Sequence, residues 1–204
     1  MNSMTSAATA TAIDEGKPVS PSELEQALLF LEQTRSGIIG AIRHLSEAQW
    51  QHKPAPNRWS IAENLEHIIS VQERVLGPIR EHLQAASPPP PEYDYQRVDA
   101  IIINQFPNRL AKFPAPEPVH PTGSLTRAEA RERLIRNYAR LAKYLESTPD
   151  LRQHAIEGGP LKAVSKGAYQ LMDGYHWILA AAAHTERHTK QVLELIAETE
   201  FPEA

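Results

Sequence analysis

Two histidines four residues apart, His184 and His188, are the residues whose type and spacing most directly suggest chemistry. On a helix they lie about 40° apart on one face and one turn apart, a placement from which two imidazoles can reach a single cation. Nine histidines in 204 residues give about 0.4 such pairs by chance, so the pair alone decides little. The order His184-Thr185-Glu186-Arg187-His188 excludes the metalloprotease helix, which needs Glu directly after the first His. Here Glu186 falls about 200° around from His184, away from any shared ion. A di-iron carboxylate bundle needs Glu-x-x-His twice on helices, and the single match, Glu117 to His120, spans Pro118. A further ligand must come from elsewhere, and it is not a thiolate, because the chain has no cysteine.

Four segments with helical periodicity can carry such residues, and three open with a capping box, Ser or Thr answered three residues later by Glu. The first runs from Pro21 to Leu45, capped by Ser20 and Glu23, with Leu24, Leu28, Leu31, Ile38, Ile42 and Leu45 on one face. Ser60 and Glu63 open the second, which carries Ile61, Leu65, Ile68, Val75, Ile79 and Leu83 up to the proline run 88–91. Thr126 and Glu129 open the third, with Leu134, Ile135, Tyr138, Leu141 and Leu145 apolar. The fourth spans Ala168 to Thr199, with Met172, Leu179, Ala183, Val192, Leu195 and Ile196 at helical spacing. No strand is expected. A long proline-rich connection, Ser87 to Leu125, joins the second and third segments; its Ile101, Ile102, Ile103, Phe106 and Phe113 predict that it packs on the helices. Its length allows the helices it joins to run parallel.

The totals narrow the function classes. With 41% hydrophobic residues in 204, one domain with a substantial core is expected over 20–204, preceded by a disordered N-terminal tail, 1–19. The 21 Lys and Arg against 25 Asp and Glu leave a net charge of -4, which gives no basic field for nucleic acid or anionic lipid. The apolar stretch Trp177 to Ala183 is far below the ~20 residues that cross a bilayer, and residues 1–20 lack the pattern of a secretory signal. A soluble, cytoplasmic protein with no nucleic-acid or membrane partner is the expectation.

The stretch Trp59-Ser60-Ile61-Ala62-Glu63-Asn64-Leu65-Glu66-His67, taken with Ala183-His184-Thr185-Glu186-Arg187-His188-Thr189-Lys190-Gln191, resembles the DinB/YfiT-like superfamily. Ala115-Pro116-Glu117-Pro118-Val119, with Pro121 and Gly123, is similar to the segment leading into that family's third helix, so the likeness covers about residues 20–198. The resemblance implies an all-α four-helix bundle of up-down-down-up connectivity. It also implies a metal held by one histidine of the second helix and two of the fourth, which fall on His67, His184 and His188. Three neutral imidazoles from two helices leave positions open for water or substrate, the arrangement of a catalytic rather than a closed structural site. Zinc, nickel or iron would suit them.

Glu63, one turn before His67, is a candidate base as well as a cap. Gln191, one turn after His188, is a candidate for orienting water or a ligand. Trp177 is a candidate wall of the site and Arg35 a candidate for an anionic substrate, each also read more plainly as a core residue and an edge residue. His44, His52, His82, His120, His154 and His176 read as surface or satisfied positions. As the resemblance implies, the activity is that of a metal-dependent hydrolase or a low-molecular-weight-thiol-dependent transferase acting on a small-molecule substrate. The thiol would come from a cofactor. The competing class is a non-catalytic metal-binding or stress-response module: a water-filled pocket over the histidines favours the enzyme, a plugged one the module. A homodimer is also expected from the resemblance.

Overall fold

The computed structural model describes residues 17–110 and 113–203. The N-terminal tail expected over 1–19 falls, for 1–16, outside the described residues. The chain is predominantly helical. Among the described residues the four long helices are α1 (Pro21–Ile42), α3 (Ile61–Arg74), α6 (Arg127–Ser147) and α8 (Gly174–Ile196), with shorter α2 (Glu47–Gln51), α4 (Arg80–Gln84), α5 (Tyr95–Gln105) and α7 (Gly159–Val164) between them. The long helices close a ring of contacts in which α1 and α3 each pack on both α6 and α8. Leu31 and Ile38 of α1, Leu65 and Ile68 of α3, Leu134 and Leu141 of α6, and Ile178 and Val192 of α8 fill its centre. Among the described residues no helix is long and apolar enough to cross a membrane.

All three expected capping boxes form, with Ser20, Ser60 and Thr126 each accepting the amide of the Glu three residues on. The first segment ends earlier than its apolar spacing suggested: a further capping box, Ser46 with Gln49, starts α2 at the position where the stripe reached Leu45. The second is not one regular helix either. Pro78 has no N–H to return to the preceding turn, and the helix widens into a π-turn over Val75–Ile79 before resuming as α4.

The fourth segment starts at Gly174 rather than Ala168, and the expectation of no strand is overturned. Ala155–Glu157 (β1) pairs antiparallel with Leu171–Asp173 (β2), with Ile156 opposite Met172. Met172, placed by its spacing on the helix, sits in β2 with its side chain buried. Asp173 ends the strand and caps α8 through the amide of His176. Gly158, beside β1, approaches Met172 so closely that a Cβ there would stand 2.2 Å from its sulfur.

The connection between the second and third segments packs as expected. It holds α5, whose Val98, Ile101 and Ile102 are buried against α8, and Phe106 and Val119 are buried as well, while Phe113 remains 46% exposed.

Candidate metal centre

His67 projects from the middle of α3, and His184 and His188 from successive turns of α8, the helix against which α3 packs. One ring nitrogen of each comes within 4.8 Å of those of the other two. His67 Nε2 and His184 Nε2 are 3.1 Å apart. Two atoms held ~2.1 Å from one cation stand roughly 3.0 to 3.4 Å apart, so this pair has the separation of ligands that share an ion.

Which nitrogen faces the site is fixed from outside it. His67 Nδ1 lies 2.7 Å from the carbonyl oxygen of Val119, which can only accept, so Nδ1 carries the proton and Nε2 presents a lone pair. Val119 belongs to a turn in the long connection, Glu117–Val119. That stretch is held to α3 by Glu66, whose carboxylate accepts from the amides of Thr122 and Gly123 and from the Thr122 hydroxyl at 2.6–3.0 Å. His188 Nδ1 donates to Asn64 Oδ1 at 3.0 Å, and Asn64 in turn gives its Nδ2 to the Ser60 carbonyl at 2.8 Å, which aims its oxygen at the ring. His184 Nδ1 is buried without a hydrogen-bond partner among the described residues.

Burial disfavours the charged form of all three rings. It lowers the pKa of His67, outweighing the Val119 hydrogen bond. It sets His184 and His188 well below the ordinary histidine value, with each ring's neighbours and the nearby Arg187 pushing in the same direction. Three neutral imidazoles converge, the protonation state in which they can bind a cation.

A family model described as the DinB superfamily matches residues 31–192. The chain belongs to the DinB superfamily. Neither the curated proteins nor the solved structures give a match to the chain. The matched span takes in α3, the connection and α8 as far as Val192, the three parts of this DinB chain that build the cluster.

Glu63 is taken up by its cap: one oxygen accepts the Ser60 amide at 2.7 Å and the other meets Lys53 Nζ at 2.6 Å. Gln191 accepts from Arg109 Nη1 at 2.8 Å. Trp177 packs against the hydrophobic core. The aromatic wall is Trp59, whose ring centroid lies 4.8 Å from that of His67 and is stacked 6.0 Å from that of His188. Arg35 forms a surface ion pair with Glu32. His44, His82 and His120 are exposed, and His154 is satisfied by the Ala86 carbonyl. His176 is fully buried between Asp173 and Asp99. A cavity of about 100 Å³ lined by Arg80, Tyr144, Asp150 and His154 lies at the N-terminus of α8, not over the histidines.

Sequence reasoning did not single out Asn64, Glu66, Val119, Arg109 or Arg187. Asn64 carried a signal, being a polar side chain, poor in helix propensity, set among Ile61, Leu65 and Ile68. Val119 acts through its backbone and carried none.

Proposed function

We propose that this DinB protein binds one divalent cation through Nε2 of His67, His184 and His188, within a four-helix bundle of up-down-down-up order. The observation that carries the reading is the outward anchoring of two of the rings. Val119 and Asn64 occupy the Nδ1 protons of His67 and His188, so the lone pairs face inward toward a third imidazole. Three protein ligands leave room for an exchangeable one, as in catalytic sites. Zinc, nickel or iron fits this donor set. A bound cation of this kind lowers the pKa of a water or of a cofactor's thiol, which is the chemistry of a hydrolase or a thiol-dependent transferase acting on a small molecule.

The chain's own part is to hold and to shield. Trp59 packs over two rings, and His67 and His188 are 4% and 6% exposed, while His184 is half-buried. Glu63 enters as the cap that fixes the start of α3, and Gln191 as the residue that ties Arg109 to α8. The same coverage by Trp59 is the observation favouring the second reading, a metal-binding or stress-response module without turnover. A two-fold dimer is proposed with either and is read by light scattering.

The test is metal per chain, by mass spectrometry, in protein purified without a metal-affinity column. His67→Ala should lose most of the metal and keep its helical content, whereas His44→Ala, an exposed histidine elsewhere, should keep both. Full retention in His67→Ala overturns the site. An activity screen with and without low-molecular-weight thiols then separates hydrolase, transferase and module.

A further inference from the structure

A cavity of about 100 Å³ lies where α4, the end of α6, the turn leading to β1 and the start of α8 meet, and none of the three clustered histidines lines it. Its wall carries charges of both signs: Arg80 comes from α4 and Asp150 from the turn after α6. The Arg80 guanidinium carbon lies 4.8 Å from the centroid of the Tyr144 ring, another lining residue, and this contact holds it on the cavity wall. Among the described residues neither Arg80 nor Asp150 forms an ion pair, with each other or with a third group. Both act on the Tyr144 hydroxyl: burial raises its pKa, the charge of Arg80 opposes that rise and the charge of Asp150 adds to it. His154 supplies a further acceptor. Its Nδ1 lies 2.7 Å from the Ala86 carbonyl oxygen, so Nδ1 carries the proton and the neutral ring keeps a lone pair on Nε2. The buried Leu83 and Leu151 give the cavity an apolar lining.

Such a wall selects by charge and by size. A simple anion would meet Arg80 but be repelled by Asp150, and a simple cation the reverse. A molecule with a carboxylate and an ammonium group a few bonds apart satisfies both. A guanidinium donates a fork of N–H groups to a carboxylate, and a carboxylate and an imidazole lone pair accept from an ammonium. Since an apolar cavity of roughly 150 Å³ holds benzene, one of about 100 Å³ admits roughly four or five non-hydrogen atoms.

We infer that this cavity binds a small α-amino acid as its zwitterion, with the carboxylate on Arg80 and the ammonium group on Asp150 and His154. The site stands apart from the metal reading, because none of its residues belongs to the histidine cluster.

Glycine is the probe; at the same number of non-hydrogen atoms, glycolate keeps only its negative charge and glycinamide only its positive one. Each is titrated near neutral pH into the isotope-labelled full chain, and backbone amide resonances are followed by NMR. Because glycine also ligates metal ions, the titration is repeated after chelator treatment. Glycine should shift the amides of Gln84, Thr148 and Gly174, all lining residues, saturably and with a dissociation constant on the order of 1 mM. Glycolate and glycinamide should bind at least about fivefold more weakly, the scale of one solvent-reached charged contact. Arg80→Met should bring glycine down to the level of glycinamide, and Asp150→Asn to that of glycolate. Both positions are exposed, and circular dichroism checks that each variant is folded. No saturable shift at the cavity with glycine overturns the site, as does glycolate or glycinamide matching glycine in the wild-type chain. Wild-type glycine affinity in either folded variant, or loss of the cavity shifts on chelation, does the same.

Discussion

The orientation of an imidazole is set by the hydrogen bond on its far nitrogen, and for His188 that bond comes from Asn64. Asn64→Leu keeps the branched outline of the side chain but leaves the Nδ1 proton of His188 buried without an acceptor. It should weaken cation binding by about 10–100-fold, the usual cost of losing such a partner, with helical content unchanged in circular dichroism. Competition against a chromophoric chelator measures it, and undiminished affinity would mean that stacking on Trp59 alone holds the ring. Trp59 has a separable part to play. Trp59→Ala should keep the ligands and open the site, so metal exchange should speed up more than affinity falls, as stopped-flow exchange would record.

Among the elements, the junction of β2 with α8 is the most tightly constrained. The Gly174 amide donates to the Leu151 carbonyl at 2.7 Å, and a Cβ at Gly174 would meet the Leu151 side chain at 2.7 Å and its carbonyl oxygen at 3.0 Å. Gly174→Ala should therefore cost about 1–3 kcal/mol, the range for an overpacked interior, seen as a lowered midpoint in urea unfolding with an unchanged slope. This junction is also where the sequence misled. Ala168 to Met172 has the spacing of a helix, and only its pairing with 155–157, some fifteen residues back, makes it a loop and strand. Helix starts were legible at Ser20, Ser60 and Thr126 because a capping box is closed by residues three apart. The widened turn at Pro78 was legible in principle, since a missing N–H is a property of one residue. At the three-histidine cluster, the pair on α8 could be read from spacing, and His67 from the motif that the resemblance brought. Of the groups around those rings Asn64 carried a signal, but Val119 and Arg109 could not be read, for they arrive from the connection, 52 and 82 residues from their partners in sequence.

Taken as a whole, the molecule is pinned at the N-terminal end of α8 by a buried charge cluster. Arg152, fully buried, bridges Asp173, Asp99 and Glu23 at 2.8–3.1 Å, joining the start of α1, α5, the β1 approach and the cap of α8. His176 lies between Asp173 and Asp99; burial opposes its charge, but the two carboxylates prevail and push its pKa up to about 9. Because the folded value exceeds the unfolded one, this histidine stabilises the fold fully below about pH 6.5 and loses its contribution as pH rises through about 9. The loss should amount to about 3 kcal/mol in wild-type protein and be missing in His176→Ala, by urea unfolding between pH 6 and 10. Arg152→Met leaves three carboxylates facing one another and should cost about 3–5 kcal/mol in the same assay. The opposite end of the ring is governed differently, because there the His67 ring is oriented by a carbonyl of the connection, which Glu66 clips to α3. That clip turns a question of affinity into one of timing. If an ion can leave only when the turn carrying Val119 lifts, its release to a chelator should stop accelerating once chelator is abundant and level off at the opening rate of the turn. Glu66→Gln, which removes none of the three imidazoles, would raise that plateau.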